Sequence, residues 1–189
     1  KINLAKKAIK LSLEQHPASS NLALFRIEIL IFENKLDNAE KLLDDLVFSE
    51  PSNEEIYIQK ANIYSKRKLH LRAIACLNEI LKFSSDNPEV YSLIGIEYLF
   101  MEDFENAKIN FINCLKHDES DYSALYNIIY CFEILEQNES AIEYLNNYLD
   151  SNPYCEVAWH QLGKQYLFYK NYKKAISAFD FAIISDEYF

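Results

Sequence analysis

Alanine stands at positions 5, 39, 73, 107, 141 and 175, and every interval is 34 residues, without insertion or deletion. Self-similarity at a fixed period in the range of about 20 to 50 residues marks a chain of stacked repeats. Other positions keep the register. Four residues after each alanine comes a large apolar residue: Ile9, Leu43, Leu77, Phe111, Leu145 and Phe179. Nine before the last five alanines come Leu30, Tyr64, Tyr98, Phe132 and Tyr166, and sixteen before come Ala23, Tyr57, Tyr91, Leu125 and Trp159. Pro17, Pro51 and Pro153 lie twelve after an alanine, whereas Ser85, Glu119 and Glu187 break that pattern.

Within each unit the apolar positions are three, four or seven residues apart, which is the period of a helix. Two such runs with a short polar turn fill one unit, so each unit reads as a helical hairpin. The two glycines, Gly95 and Gly163, both lie twelve residues before an alanine. Glycine inside a helix costs about 1 kcal/mol relative to alanine, so close packing of the paired helix is the expected reason for them. The spacing predicts eleven helices. A lone helix covers about residues 2–15, inside a first segment 1–19, and full hairpins cover 20–53, 54–87, 88–121, 122–155 and 156–189. Turns are expected near Glu33-Asn34-Lys35, Arg67-Lys68, Glu102-Asp103, Gln137-Asn138 and Lys170-Asn171. No linker separates the units, so residues 1–189 read as one array cut from a longer one. The prolines after second helices act as stops, and Pro88 opens a helix behind Asn87 as its N-cap.

Trp159, Leu162, Gly163, Tyr166, Ala175, Phe179 and Ala182 together resemble the tetratricopeptide repeat signature. Tyr91, Gly95, Tyr98, Ala107 and Phe111 form a second good match; the units near Asn21 and Asp121 match less fully. The resemblance covers essentially the whole chain. It implies an all-α, right-handed superhelical solenoid of antiparallel helix hairpins, a scaffold that binds a protein or peptide and catalyses nothing. It also implies a concave face lined by the first helix of each unit. Helical geometry then places Asn62 there, followed by Leu93 and Ile96, then Tyr126, Asn127 and Tyr130, and finally His160, Gln161 and Lys164. Aromatic, aliphatic and amide groups in that mixture suit a peptide or an amphipathic helix. The Lys and Arg set with which chaperone-binding relatives hold a terminal carboxylate is absent in every register.

Charge and motifs narrow the function further. The formal net charge is −10, and the densest basic run is Lys66-Arg67-Lys68, so no basic footprint for nucleic acid is present. No uncharged apolar stretch reaches membrane-spanning length. Two isolated glycines make no phosphate-binding loop. Cys114 and His117 share a helix face at a spacing of three, but a structural zinc needs four ligands. Neither catalytic, cofactor nor metal residues are therefore expected. The four cysteines form no Cys-x-x-Cys pair and read as reduced fillers, and the polar start points to a cytoplasmic chain. The apolar last helix, with Phe179, Phe181, Ile183 and Ile184, raises self-association through exposed repeat ends as an alternative function. A regulatory module of a larger protein is a second alternative.

Overall fold

The computed structural model describes residues 2–16 and 19–186. Pro17 and the end of the last expected hairpin, 187–189, lie outside the described residues, as does the side chain of Ala5. Among the described residues all regular structure is α-helical. In chain order the helices are α1 (Ile2–Gln15), α2 (Ser20–Phe32), α3 (Leu36–Ser49), α4 (Glu54–Lys66), α5 (His70–Leu81) and α6 (Pro88–Phe100). They continue with α7 (Phe104–His117), α8 (Tyr122–Ile134), α9 (Asn138–Ser151), α10 (Glu156–Phe168) and α11 (Tyr172–Asp186). A helix starts at Ser20, Glu54, Pro88, Tyr122 and Glu156, the first residue of each expected hairpin.

The chain fixes these boundaries by capping. Asn53 accepts from the Glu55 amide, Asn87 from Val90 and Asp121 from Ala124, and the Cys155 thiol accepts from Ala158 at 3.4 Å. These caps recur every 34 residues and satisfy amides that a helix start leaves open. Asp121 does double duty: its second oxygen accepts from the Cys114 thiol at 3.3 Å, tying the end of α7 to the start of α8.

The turn inside each hairpin follows one pattern. Asn34, Lys68, Glu102, Glu136 and Lys170 all have φ between 55° and 60°, again 34 residues apart. The next amide bonds back five residues, as in Lys35 to Leu30, Leu69 to Tyr64 and Gln137 to Phe132, each at 2.8 Å. The left-handed residue's own amide bonds back three, as in Lys68 to Ser65 at 2.8 Å. This is the Schellman ending of a helix, a position that favours glycine because a Cβ is strained there. None of the five is glycine. In the fourth full hairpin the left-handed residue is Glu136, one residue before the expected Gln137-Asn138 turn.

The described helices gather into two compact units, residues 1–90 and 91–189. In the first, Ile27, Leu43, Ile56 and Ile63 are fully buried around Ala39. Tyr64 Oη donates to Glu40 Oε1 at 2.7 Å, Arg67 Nη1 donates to Glu40 Oε2 at 2.5 Å, and Arg67 also reaches Asp37, joining α4 to α3. In the second unit Phe111, Leu125, Ile128, Ile129, Leu145 and Leu162 form the core. Ala39, Ala73, Ala107, Ala141 and Ala175 are all wholly buried. The glycines act as their spacing implies. A Cβ on Gly95 would lie 2.8 Å from the Phe111 ring, and one on Gly163 would lie 2.6 Å from Phe179.

Candidate partner-binding surface

Helix α8 is apolar on two sides, one buried in the core and the other about half exposed. Leu125, Ile128, Ile129 and Phe132 are buried in the core. Tyr126, Tyr130 and Ile134, at a spacing of four, are each about half exposed. A fold-making helix needs one apolar stripe; the second is only partly covered by the fold. Tyr130 is steadied by an edge-on contact with Phe104, ring centroids 6.1 Å apart. On α10 the matching positions are His160, Lys164 and Phe168, all exposed. His160 lies beside the Phe179 ring at 5.7 Å.

The expected partner-facing residues divide into three groups. Tyr126, Tyr130, His160 and Lys164 are exposed in the second unit, and Asn62 is exposed on α4 of the first. Leu93, Ile96 and Asn127 are half-buried, with Ile96 packed against the core. Gln161 departs from the expectation. It is only 3% exposed, and its Oε1 accepts from Lys164 Nζ at 3.2 Å. Buried and engaged with Lys164, it offers almost no surface to a partner.

The structure sets Lys164 beside residues outside that set. Glu133, Glu136, Asn138, Lys164, Gln165, Leu167 and Phe168 line an open cleft of about 970 Å3 where the ends of α8 and α10 meet the start of α9. Gln165 is buried and donates to Glu133 Oε1 at 2.7 Å. Leu167 and Phe168 are exposed. Glu133 and Leu167 share one repeat position, eight residues before Ala141 and Ala175 respectively.

The groups with nucleophilic or ligating chemistry are engaged elsewhere. Burial and the hydrogen bond to Asp121 push the Cys114 thiol up to about 12, and burial pushes Cys131 to about 11. Burial likewise raises Cys76 and Cys155, so none is poised as a thiolate. The His117 ring stacks on Tyr91, centroids 5.7 Å apart and planes 6° from parallel. Among the described residues no three His, Cys, Asp or Glu side chains come together as a metal site, and no helix is long and apolar enough to cross a membrane.

Residues 54–87 and 88–121 each match the family model of the tetratricopeptide repeat. Anaphase-promoting complex subunit 3 of Schizosaccharomyces pombe is 25% identical over 146 residues, covering 77% of this chain and 22% of that protein. The chain spans well under half the length of the curated relatives it matches. Among solved structures, Pseudomonas aeruginosa pilF is similar with a TM-score of 0.69 at 16% identity, over 94% of this chain and 81% of that one. YrrB, described as a TPR protein with an unusual peptide-binding site, gives a TM-score of 0.61 at 18% identity, over 94% and 92%. At such identities the structural likeness speaks for the fold. Residues 54–121 therefore carry two tetratricopeptide repeats, and the same 34-residue beat of caps, alanines and turns continues on either side of them.

Proposed function

We propose that the chain is a non-catalytic protein-interaction scaffold that takes a peptide or helix of a partner along the exposed stripe of α8 and α10. The carrying observation is the second apolar stripe of α8, formed by Tyr126, Tyr130 and Ile134. Exposed aromatic groups on a rigid element are the usual anchors of binding energy, and an apolar surface without a structural role is otherwise a liability. The peptide-binding site named for YrrB supports the same reading. The raised thiols speak against a nucleophilic enzyme. The test is affinity capture with the intact chain beside its Tyr130→Ala and Lys164→Ala variants. Specific partners are expected to weaken by about tenfold for the tyrosine, with far-UV circular dichroism unchanged. Partners that bind both variants as well as the parent would refute the reading.

One observation favours a second reading, self-association through the last hairpin. Ile176 and Ile183 are each 61% exposed on α11. Their counterparts one repeat earlier are the half-buried Ile142 and the buried Leu149. Light scattering across a concentration series tests it: a mass that rises with concentration and is flattened by Ile183→Glu supports stacking of copies. A constant monomer mass excludes it.

A further inference from the structure

The charge of this chain is unevenly placed. Residues 1–90 hold 13 Lys and Arg against 13 Asp and Glu, whereas residues 91–189 hold 6 against 16, so the whole formal charge of −10 belongs to the second unit. Two of those carboxylates occupy an unfavourable place. Glu133 lies in the last turn of α8 and Glu136 is the left-handed residue just beyond it. A helix C-terminus carries partial negative charge and favours cations. The equivalent residues of the other hairpins are Asn34, Lys68, Glu102 and Lys170; Glu136 differs from Glu102 in having a second carboxylate, Glu133, on the same cleft. Glu133 is met by the neutral amide of Gln165, and neither carboxylate has an ion pair among the described residues. Beside them the same cleft exposes Leu167 and Phe168, at 44% and 67%. Its one lining cation, Lys164, is held at 3.2 Å by Gln161.

We infer that this cleft takes a cationic amphipathic segment of a protein partner, with apolar residues seated on Leu167 and Phe168 and a Lys or Arg between Glu133 and Glu136. The inference rests on the reading that α8 and α10 present a partner face, and it adds the partner's chemistry. A partner's cation supplies together what the helix end and the paired carboxylates lack, and the apolar side chains supply the buried contact. Charge of the opposite sign also speeds encounter with a surface this acidic.

The test uses fluorescence anisotropy with the whole chain and three synthetic peptides of about 18 residues, long enough for five helical turns. One is an amphipathic Leu/Lys helix, one replaces Lys by Glu, and one keeps Lys but replaces Leu by Ser. The Leu/Lys peptide is expected to bind at least about tenfold tighter than either control. Glu136→Lys is expected to weaken it about threefold or more, and lysine is tolerated in this turn, as Lys68 and Lys170 show. Phe168→Ser is expected to weaken it about tenfold. Phe32→Ser, an exposed phenylalanine at the same repeat position on α2, is expected to leave it unchanged. Equal binding of the Leu/Glu peptide, still lost in Phe168→Ser, overturns the cationic assignment and leaves the groove reading standing. Equal binding of the Ser/Lys peptide, indifferent to Phe168, reduces the effect to bulk charge and overturns the cleft. Equal loss in Phe32→Ser overturns the location, and no binding by any peptide overturns the inference as a whole.

Discussion

Gly95→Ala sets two effects of similar size against each other, and the structure decides between them. In an open helix the change stabilises by about 1 kcal/mol, because glycine gives up more backbone freedom on folding. Here the added Cβ would lie 2.8 Å from both Cε1 and Cζ of Phe111. Phe111 is wholly buried in the core, so its ring has nowhere to go without displacing its neighbours. Overpacking of this kind costs about 1–3 kcal/mol, which leaves Gly95→Ala destabilising by up to about 2 kcal/mol. Phe111→Leu removes Cε1 and Cζ, the two nearest atoms. In that background the steric cost falls away, and Gly95→Ala is expected to stabilise. A double-mutant cycle by urea unfolding, followed by far-UV circular dichroism, should give a coupling of about 1–3 kcal/mol. Gly163→Ala is the internal comparison. Its Cβ would lie closer, 2.6 Å from Phe179, but that ring is half-buried and can swing outward, so the cost should be smaller despite the shorter distance. Additive mutations at positions 95 and 111, with Gly95→Ala stabilising in both backgrounds, would refute the close-approach account.

Lys68→Gly removes a Cβ from a left-handed residue at φ 60°; relief of about 1–2 kcal/mol less a glycine entropy cost of about 0.5–1 kcal/mol predicts a modest rise in melting temperature. Asn34→Gly should gain less, because asparagine tolerates that conformation. Glu40 titrates below its ordinary value of 4.5 because Arg67 and then Tyr64 hydrogen-bond its carboxylate. A depressed carboxyl stabilises above its unfolded value and loses that contribution as pH falls through the folded one. Glu40→Gln should therefore flatten the acid limb of the unfolding profile by about 1 kcal/mol or less. Asp121→Ala removes the cap of α8 and the acceptor for Cys114; a loss of about 1–2 kcal/mol in urea unfolding is expected.

Much of the fold was legible because a small set of side chains repeats a packing problem. A small residue is needed where two helices meet, so Ala39 through Ala175 announced the period, and the buried residue four later announced the face. The spacing placed the turns, four of the five on the left-handed residue itself and one a residue late, but their conformation was less legible. Sequence marks left-handed turns through glycine, and here Lys68, Glu102, Glu136 and Lys170 occupy them, so the backbone and not the residue type carries the signal. On the surface, helical phase located Tyr126 and Tyr130 correctly as exposed. It failed at Gln161, one step around the helix from His160, because a polar side chain there is buried and spent on Lys164. Glu133 and Glu136 escaped notice because acidic residues near helix ends usually mean solvent. Their interest appears only beside the exposed Leu167 and Phe168.

The three-residue turn also sets a timetable for synthesis. A ribosome adds about 5–20 residues per second, so one 34-residue hairpin emerges in roughly 2–7 s. Helix formation and closure of a short loop take about a microsecond or less. The principal helix pairs within each unit are neighbours or next-neighbours in the chain, such as α4 with α5 and α8 with α10. Closing a hairpin is therefore fast beside making the next one, but a lone hairpin leaves its apolar flank bare and gains stability only as following repeats stack on it. The rate of synthesis, not of closure, sets how long each growing end stays exposed to misassociation.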